Sequence, residues 1–101
     1  MKAEDTLLIL MAWRTGDEPV TIAELYREAT TLGFSVDKST VNRIIHRLRG
    51  LGFVSCLGHD QVRGQWLVRL YALTSTGRVQ AQQRRAMMES LLNTPPQELH
   101  G

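Results

Sequence analysis

The chain has 101 residues, and its hydrophobic fraction of 43% favours one globular domain over intrinsic disorder. Cys56 is its single cysteine, which excludes an intrachain disulfide and a zinc site built from several thiolates. The longest apolar run, residues 7–13, is far shorter than the roughly 20 residues that span a bilayer. Glu4 and Asp5 precede that run, unlike the basic start of a secretory signal, so we expect a cytoplasmic protein without membrane contact.

The net charge of +2 is unevenly distributed along the chain. Residues 1–37 hold three cations and seven acids, whereas residues 38–85 hold nine cations and one acid. Eight of these nine cations are arginines, which bind phosphate and guanine in a bidentate manner. Such a basic block indicates a polyanionic partner, although a solvated surface would have a similar composition.

Two helices are predicted in the first third of the chain. Residues 4–14 are apolar on nearly every side of a helix, which is typical of an element buried at the centre of a fold. Thr21, followed by Glu24 three residues later, predicts the N-cap and capping box of a second helix. That helix should end at Gly33, in a left-handed C-terminal cap.

A third helix follows closely. Residues 34–36 alone separate Gly33 from Asp37, the predicted N-cap of a helix that runs to about Gly50 or Leu51 and stops at Gly52. Two short helices joined by a tight turn that contains glycine indicate a helix-turn-helix.

Beyond Gly52 the apolar period changes from that of a helix to that of a strand. Residues 53–57 and 66–73 are predicted strands, with the polar run Gly58–Gln65 as the hairpin loop between them. Thr74 should cap a final helix over residues 75–93. The predicted fold class is mainly α with a small β-hairpin, in the order α-α-α-β-β-α, which is the winged helix-turn-helix layout.

The third helix has two distinct faces when residues are placed 100° apart. Its apolar stripe consists of Val41, Ile44, Ile45 and Leu48, and the opposite side is polar and cationic without an acid. Such a side suits the major groove of double-stranded DNA, where arginine pairs with guanine and asparagine with adenine. We expect base contacts from Ser39, Asn42, Arg43 and His46, and phosphate contacts from Lys38, Thr40, Arg47 and Arg49.

The hairpin loop adds a second candidate contact. It contains His59, Gln61, Arg63 and Gln65, which we expect to meet the DNA backbone or the minor groove. Glycines on both sides of a polar run are also typical of an ordinary hairpin turn, so the alternative that this loop does not contact DNA stays open.

Two segments resemble known families. The run Ser39–Val54 resembles the recognition helix and the following strand of MarR-type winged-helix regulators, with its Ser-Thr-Val start, its Arg-Leu pair and the Gly before an apolar pair. The run Tyr71–Arg78 resembles the Leu-Thr-x-x-Gly-Arg segment of MarR-like and PadR-like proteins. The resemblance implies a sequence-specific DNA-binding transcriptional regulator, with repression as its expected action. It does not imply small-molecule sensing, so neither an effector nor a cofactor is expected.

The final helix raises the question of assembly. We expect Met88, Leu91 and Leu92 to form a homodimer contact, while docking of this helix on the first helix of the same chain is the alternative. Residues 1–76 would then be the DNA-binding domain and residues 77–101 a dimerisation helix and tail.

Rival functions differ in class. The fold could serve as a protein-interaction module, or as a DNA-binding accessory in replication or partition of a mobile element. An enzyme is not expected, because no nucleophile–base pair, phosphate-binding glycine loop or carboxylate cluster occurs.

Overall fold

The structure is a computed structural model that describes residues 2–14, 18–63 and 66–93, with the backbone alone described over 58–63 and 66–68. The elements are α1 (Ala3–Trp13), α2 (Ile22–Thr31), α3 (Lys38–Gly50), β1 (Val54–Arg63), β2 (Trp66–Leu73) and α4 (Ser75–Leu92). The two strands pair antiparallel. This order confirms the predicted fold class, a winged helix-turn-helix that is mainly α with one hairpin.

Helix α1 lies at the centre of the core, as its apolar composition predicts. Leu7 and Leu8 are almost completely buried, and α1 contacts the other three helices and β2. Trp13 departs from the expectation of burial on every side, because 68% of its surface is exposed. Its ring lies under the guanidinium of Arg85 on α4, with the arginine carbon 4.6 Å from the ring centroid. The buried core comprises Leu7, Leu8, Met11, Val20, Leu25, Ala29, Val41, Ile44, Ile45, Leu48, Val54, Tyr71 and Ala81.

The capping residues predicted for α2 and its turn are confirmed. The Glu24 N–H donates to Thr21 Oγ1 at 3.1 Å, and the Thr21 hydroxyl donates to Glu24 Oε1 at 3.1 Å. At the other end, Gly33 has a φ of 93°. The Phe34 N–H donates to the Ala29 carbonyl at 3.0 Å, which completes a Schellman-type C-cap. These local bonds fix the tight turn that leads into α3.

The hairpin differs from the sequence prediction. Gly58–Gln65 is predicted as a loop, but β1 continues to Arg63, which pairs with Trp66. The register shifts between Cys56 and Gly58 and again between Gly58 and Gln61, so bulges absorb the unequal lengths of the two strands. Backbone pairing needs no apolar side chains, and a polar run therefore forms a strand without showing an apolar alternation.

A junction between three elements orients α4. The Thr74 hydroxyl donates to the Gly52 carbonyl at 2.6 Å and accepts from the Gly77 N–H at 3.0 Å, as expected of an N-cap. The Thr74 N–H donates to the Phe53 carbonyl at 3.0 Å. A Cβ on Gly77 would overlap that same carbonyl oxygen, which explains why this position is glycine. The end of α3, the end of β2 and the start of α4 are thereby tied together.

A short backbone contact that the sequence analysis did not predict joins the hairpin to the start of α2. Val20 and Tyr71 exchange two backbone hydrogen bonds of 2.8 Å each. Both residues are 2% exposed. The bridge holds β2 beside the start of α2.

Candidate nucleic-acid interface

One side of α3 is exposed and polar, and the other side is buried. Val41, Ile44, Ile45 and Leu48 form the buried stripe, as predicted. The four residues predicted to contact bases are all exposed: Ser39, Asn42, Arg43 and His46. We call this exposed side the α3 face. Helix α3 as a whole, counting the face and both of its flanks, carries four cations and no carboxylate.

The N-terminus of the α3 face is fixed by Asp37. Its carboxylate accepts the Thr40 N–H at 2.7 Å and the Ser39 hydroxyl at 2.9 Å. Hydrogen bonds from Thr40, with smaller contributions from Ser39 and the charge of Arg43, hold the pKa of Asp37 below its usual range. Because the Ser39 proton is already donated to Asp37, the Ser39 oxygen retains lone pairs that can accept a hydrogen bond.

The residues predicted to contact phosphate lie on both flanks of the α3 face. Lys38, Arg47 and Arg49 are exposed, whereas Thr40 is half-buried. The backbone N–H of Thr40 is engaged by Asp37. The three cationic side chains are thus the exposed members of this set.

On one flank, Arg47 lies beside an acidic pair from α1. Its Nε is 3.3 Å from Glu4 Oε2, although 69% of the Arg47 side chain is exposed. Arg84 on α4 lies 3.5 Å from Glu4 and 2.7 Å from Asp5. Two arginines thus share the carboxylates of α1, and Arg47 is partly neutralised in the free protein.

On the other flank, α3 borders an open groove that β2 completes. Lys38, Asn42 and His46 line it from α3, and Arg69 lines it from β2. The His46 ring meets the buried Tyr71 ring edge-on, with centroids 6.3 Å apart. Arg69 is exposed. The sequence pattern assigned it no role, because it alternates outward from Leu67 and Tyr71 only in part.

The candidate contacts in the hairpin fall outside the described side chains. His59, Gln61 and Arg63 belong to β1, where Gln61 pairs with Val68. Their side chains, and Gln65 altogether, lie outside the described residues. Contacts of these four residues with DNA stay a prediction.

The second half of α4 exposes an apolar surface. Leu91 is 60% and Leu92 78% exposed, and Met88 is half-buried. Met87, which the sequence analysis did not single out, is 73% exposed. Nearer its start the helix packs on the core, since Ala81 is buried, and Arg84 near its middle binds Asp5 on α1. This apolar surface also borders the start of α1, since Met88 and Leu91 line one groove with Glu4 and Asp5. The dimer contact and docking on α1 both stay predictions.

Within the part of the chain that the structure describes, no helix is long and apolar enough to cross a membrane. No group of three or more histidine, cysteine or acidic side chains is placed to bind a metal ion among those same residues.

Comparison with solved structures establishes the fold. A PadR-like transcription factor from Bacteroides fragilis matches with a TM-score of 0.68 and 16% identity, over 87% of this chain and 84% of that chain. A PadR-like transcriptional regulator from Bacillus cereus matches with a TM-score of 0.66 and 16% identity, over 91% and 92%. ZitR from Lactococcus lactis matches with a TM-score of 0.64 and 20% identity, over 96% of this chain.

The longer regulators extend beyond this fold. The chain spans 64% of the ZitR chain and 53% of the ferric uptake regulator from Vibrio cholerae. The sequence matches no protein-family model, and no curated protein matches it significantly. The resemblance to MarR-type and PadR-like regulators inferred from the sequence agrees with these solved structures at the level of the winged-helix fold.

Proposed function

We propose that the protein is a sequence-specific double-stranded DNA-binding transcriptional regulator that acts as a repressor in the cytoplasm. Helix α3 enters the major groove, and the hairpin contacts the neighbouring backbone or minor groove. In this assignment Ser39, Asn42, Arg43 and His46 contact bases, while Lys38, Thr40, Arg47 and Arg49 contact phosphates.

The exposure of the α3 face is the observation that supports this proposal. Its polar side chains are open to solvent, and Lys38 and Ser39 are exposed in the first turn of the helix. In recognition helices the N-terminal residues are the ones that contact base edges. An α-helix fits the width of the major groove, and arginine and asparagine recognise base edges there by paired hydrogen bonds. The similar solved structures described as transcription regulators add support at the level of the fold.

A protein-interaction module is less well supported by the same surface. Such a module would present large apolar side chains on α3, because apolar and aromatic anchors dominate protein interfaces. The large apolar residues that are exposed in the described part of the chain lie outside Lys38–Gly50. The α3 face instead has the charge and hydrogen-bonding groups of a nucleic-acid surface.

We also propose that the regulator is a homodimer joined through the second half of α4, by Met87, Met88, Leu91 and Leu92. Dimeric helix-turn-helix proteins read two half-sites about one helical turn apart. In this proposal residues 1–76 bind DNA and residues 77–101 form the dimer. These are two roles within one core and not two structural domains, since the first half of α4 also packs on that core.

Selection from random duplexes, followed by fluorescence-anisotropy titration of the winning sequence at several salt concentrations, tests the proposal. A selected sequence with symmetric half-sites is the expected result. Failure of the wild-type protein to bind any duplex at low salt would contradict DNA binding as its function.

Two variants then separate base contacts from phosphate contacts. Arg43→Ala should cost about 1–3 kcal/mol and relax the preference at one base pair. Arg47→Ala should weaken binding to all sequences alike and flatten the salt dependence by about one unit. Arg27→Ala is the matched control, because Arg27 is exposed on α2 in a groove that contains no α3 residue among those described.

A further inference from the structure

Arg69 is an exposed cation on β2, and the fold places it beside the α3 face. It lines the same open groove as Lys38, Asn42 and His46. The bridge between Val20 and Tyr71 holds β2 against the start of α2 at this point. Arg69 lies two residues before Tyr71 on the same strand, between the paired residues Val68 and Leu70, and this placement brings it to the groove beside α3.

The two flanks of α3 differ in charge. On the α1 flank, Arg47 is paired with Glu4 at 3.3 Å. On the β2 flank, Lys38 and Arg69 contribute two cations, and no carboxylate is among the described residues that line the groove. Among the residues whose side chains the structure describes, the β2 side is therefore the more positive edge of the α3 face.

The location also favours a particular part of the polyanion. A helix fills the major groove, so residues at the side of that helix on a neighbouring element meet the sugar-phosphate edge and not the bases. Ile22, Ala23 and Tyr71 also line the groove.

We propose that Arg69 binds a backbone phosphate of the DNA duplex and that, together with Lys38, it seats one strand in the groove between α3 and β2. This inference rests on the proposed function and adds to it a contact outside both α3 and the hairpin tip. The contact is independent of base sequence, and it fixes the orientation of the hairpin relative to the recognition helix.

Salt-dependent anisotropy titrations of Arg69→Ala, Arg69→Lys and Arg27→Ala test the inference on the intact chain. Removing one phosphate contact flattens the plot of log affinity against log salt by about 0.9 units. We expect Arg69→Ala to show this change with a roughly 3- to 10-fold loss of affinity on specific and unrelated duplexes alike. Arg69→Lys should keep most of the salt dependence because it keeps the charge, and Arg27→Ala should match the wild type.

A second measurement assigns the contact to one phosphate. Single uncharged methylphosphonate linkages are placed one at a time along the selected duplex. At the phosphate that Arg69 binds, the substitution should weaken the wild type but not Arg69→Ala, which is the coupling expected of two interacting groups. Circular dichroism and the Tm of each variant confirm that β2 still forms.

The outcomes distinguish the inference from the function on which it rests. If Arg43→Ala and Arg47→Ala weaken binding while Arg69→Ala behaves like Arg27→Ala, the inference is overturned and DNA binding stands. A changed base preference in Arg69→Ala with an unaltered salt slope would also overturn it, in favour of a base contact. If the wild type binds no duplex, the proposed function fails, and this contact fails with it.

Discussion

Glu4 on α1 and Arg47 on α3 form an ion pair at the edge of the α3 face, with Arg47 Nε 3.3 Å from Glu4 Oε2. The carboxylate is mostly shielded, with 18% of its side chain exposed, whereas the arginine is 69% exposed. In the proposed complex a phosphate that approaches Arg47 therefore also approaches a fixed negative charge. Glu4 should oppose DNA binding at this flank.

Replacing Glu4 tests this opposition. Glu4→Gln should tighten binding to every duplex several-fold and steepen the salt dependence, because Arg47 loses its competing carboxylate. The cost in folding stability should be on the order of 1 kcal/mol, because Arg47 is exposed and Arg84 keeps its closer partner Asp5. Anisotropy titrations and urea unfolding measure the two effects.

Glu28→Gln is the control for a general loss of negative charge. Glu28 pairs with Arg14 at 2.8 Å on α2, in a groove that includes no described α3 residue. The Glu28→Gln variant should leave the affinity for DNA nearly unchanged. Weaker binding by Glu4→Gln would show instead that Glu4 orients Arg47 for the phosphate.

The junction at the start of α4 predicts that alanine substitutions at two glycines change the folding stability by very different amounts. Gly77→Ala should destabilise the fold by about 1–3 kcal/mol, because its Cβ would overlap the Phe53 carbonyl oxygen and backbone must move. Gly50→Ala, at the end of α3, meets nothing within 4 Å and should be neutral or slightly stabilising. Chemical denaturation of both variants compares them directly, and equal stabilities would contradict the close packing at Gly77.

Asp37 should make the stability of α3 depend on pH. Its pKa is lowered in the folded protein, so its contribution is complete above the unfolded value of about 3.9 and is lost as the pH falls through the folded value. Asp37→Ala should therefore lower the Tm at pH 7, with a difference that shrinks below about pH 4.

Asp37→Asn separates charge from capping. Asparagine also accepts hydrogen bonds at an N-cap, so this variant should retain most of the stability at pH 7 without titrating in the acidic range. Tm measurements from pH 2 to pH 7 follow both variants. A pH-independent difference between wild type and Asp37→Ala would contradict the lowered pKa.

The proposed dimer depends on the exposed apolar surface of α4. Leu91→Glu should convert a dimer to a monomer, because a buried unpaired carboxylate at an interface is strongly unfavourable. Ala86→Glu introduces the same charge at an exposed position on the opposite side of the helix and should leave the assembly unchanged. Light scattering coupled to size-exclusion chromatography gives the mass, and a monomeric wild type would contradict the dimer.

The predicted pattern of buried and exposed positions on α3 is confirmed, because it depended on local information. The apolar stripe of α3, with Val41 and Leu48 as members, follows from helical periodicity, and the exposed positions follow from the same geometry. Asp37 and Thr21 were recognisable as caps because their hydrogen-bond partners lie three residues away. The hairpin was less predictable, since bulged pairing of a polar strand leaves no regular alternation in β1.

The sequence by itself determined the helices, their caps and which side of α3 is buried, because each depends on residues a few positions apart. The tertiary structure alone decided the surroundings of that helix: Glu4 lies beside Arg47, and Arg69 faces the groove of Lys38. These pairs are distant in the chain, and packing of α1 and β2 around the core brings them together. Patterns within a few residues do not indicate which distant segments pack together, so the charge on each flank of α3 follows only from the folded structure.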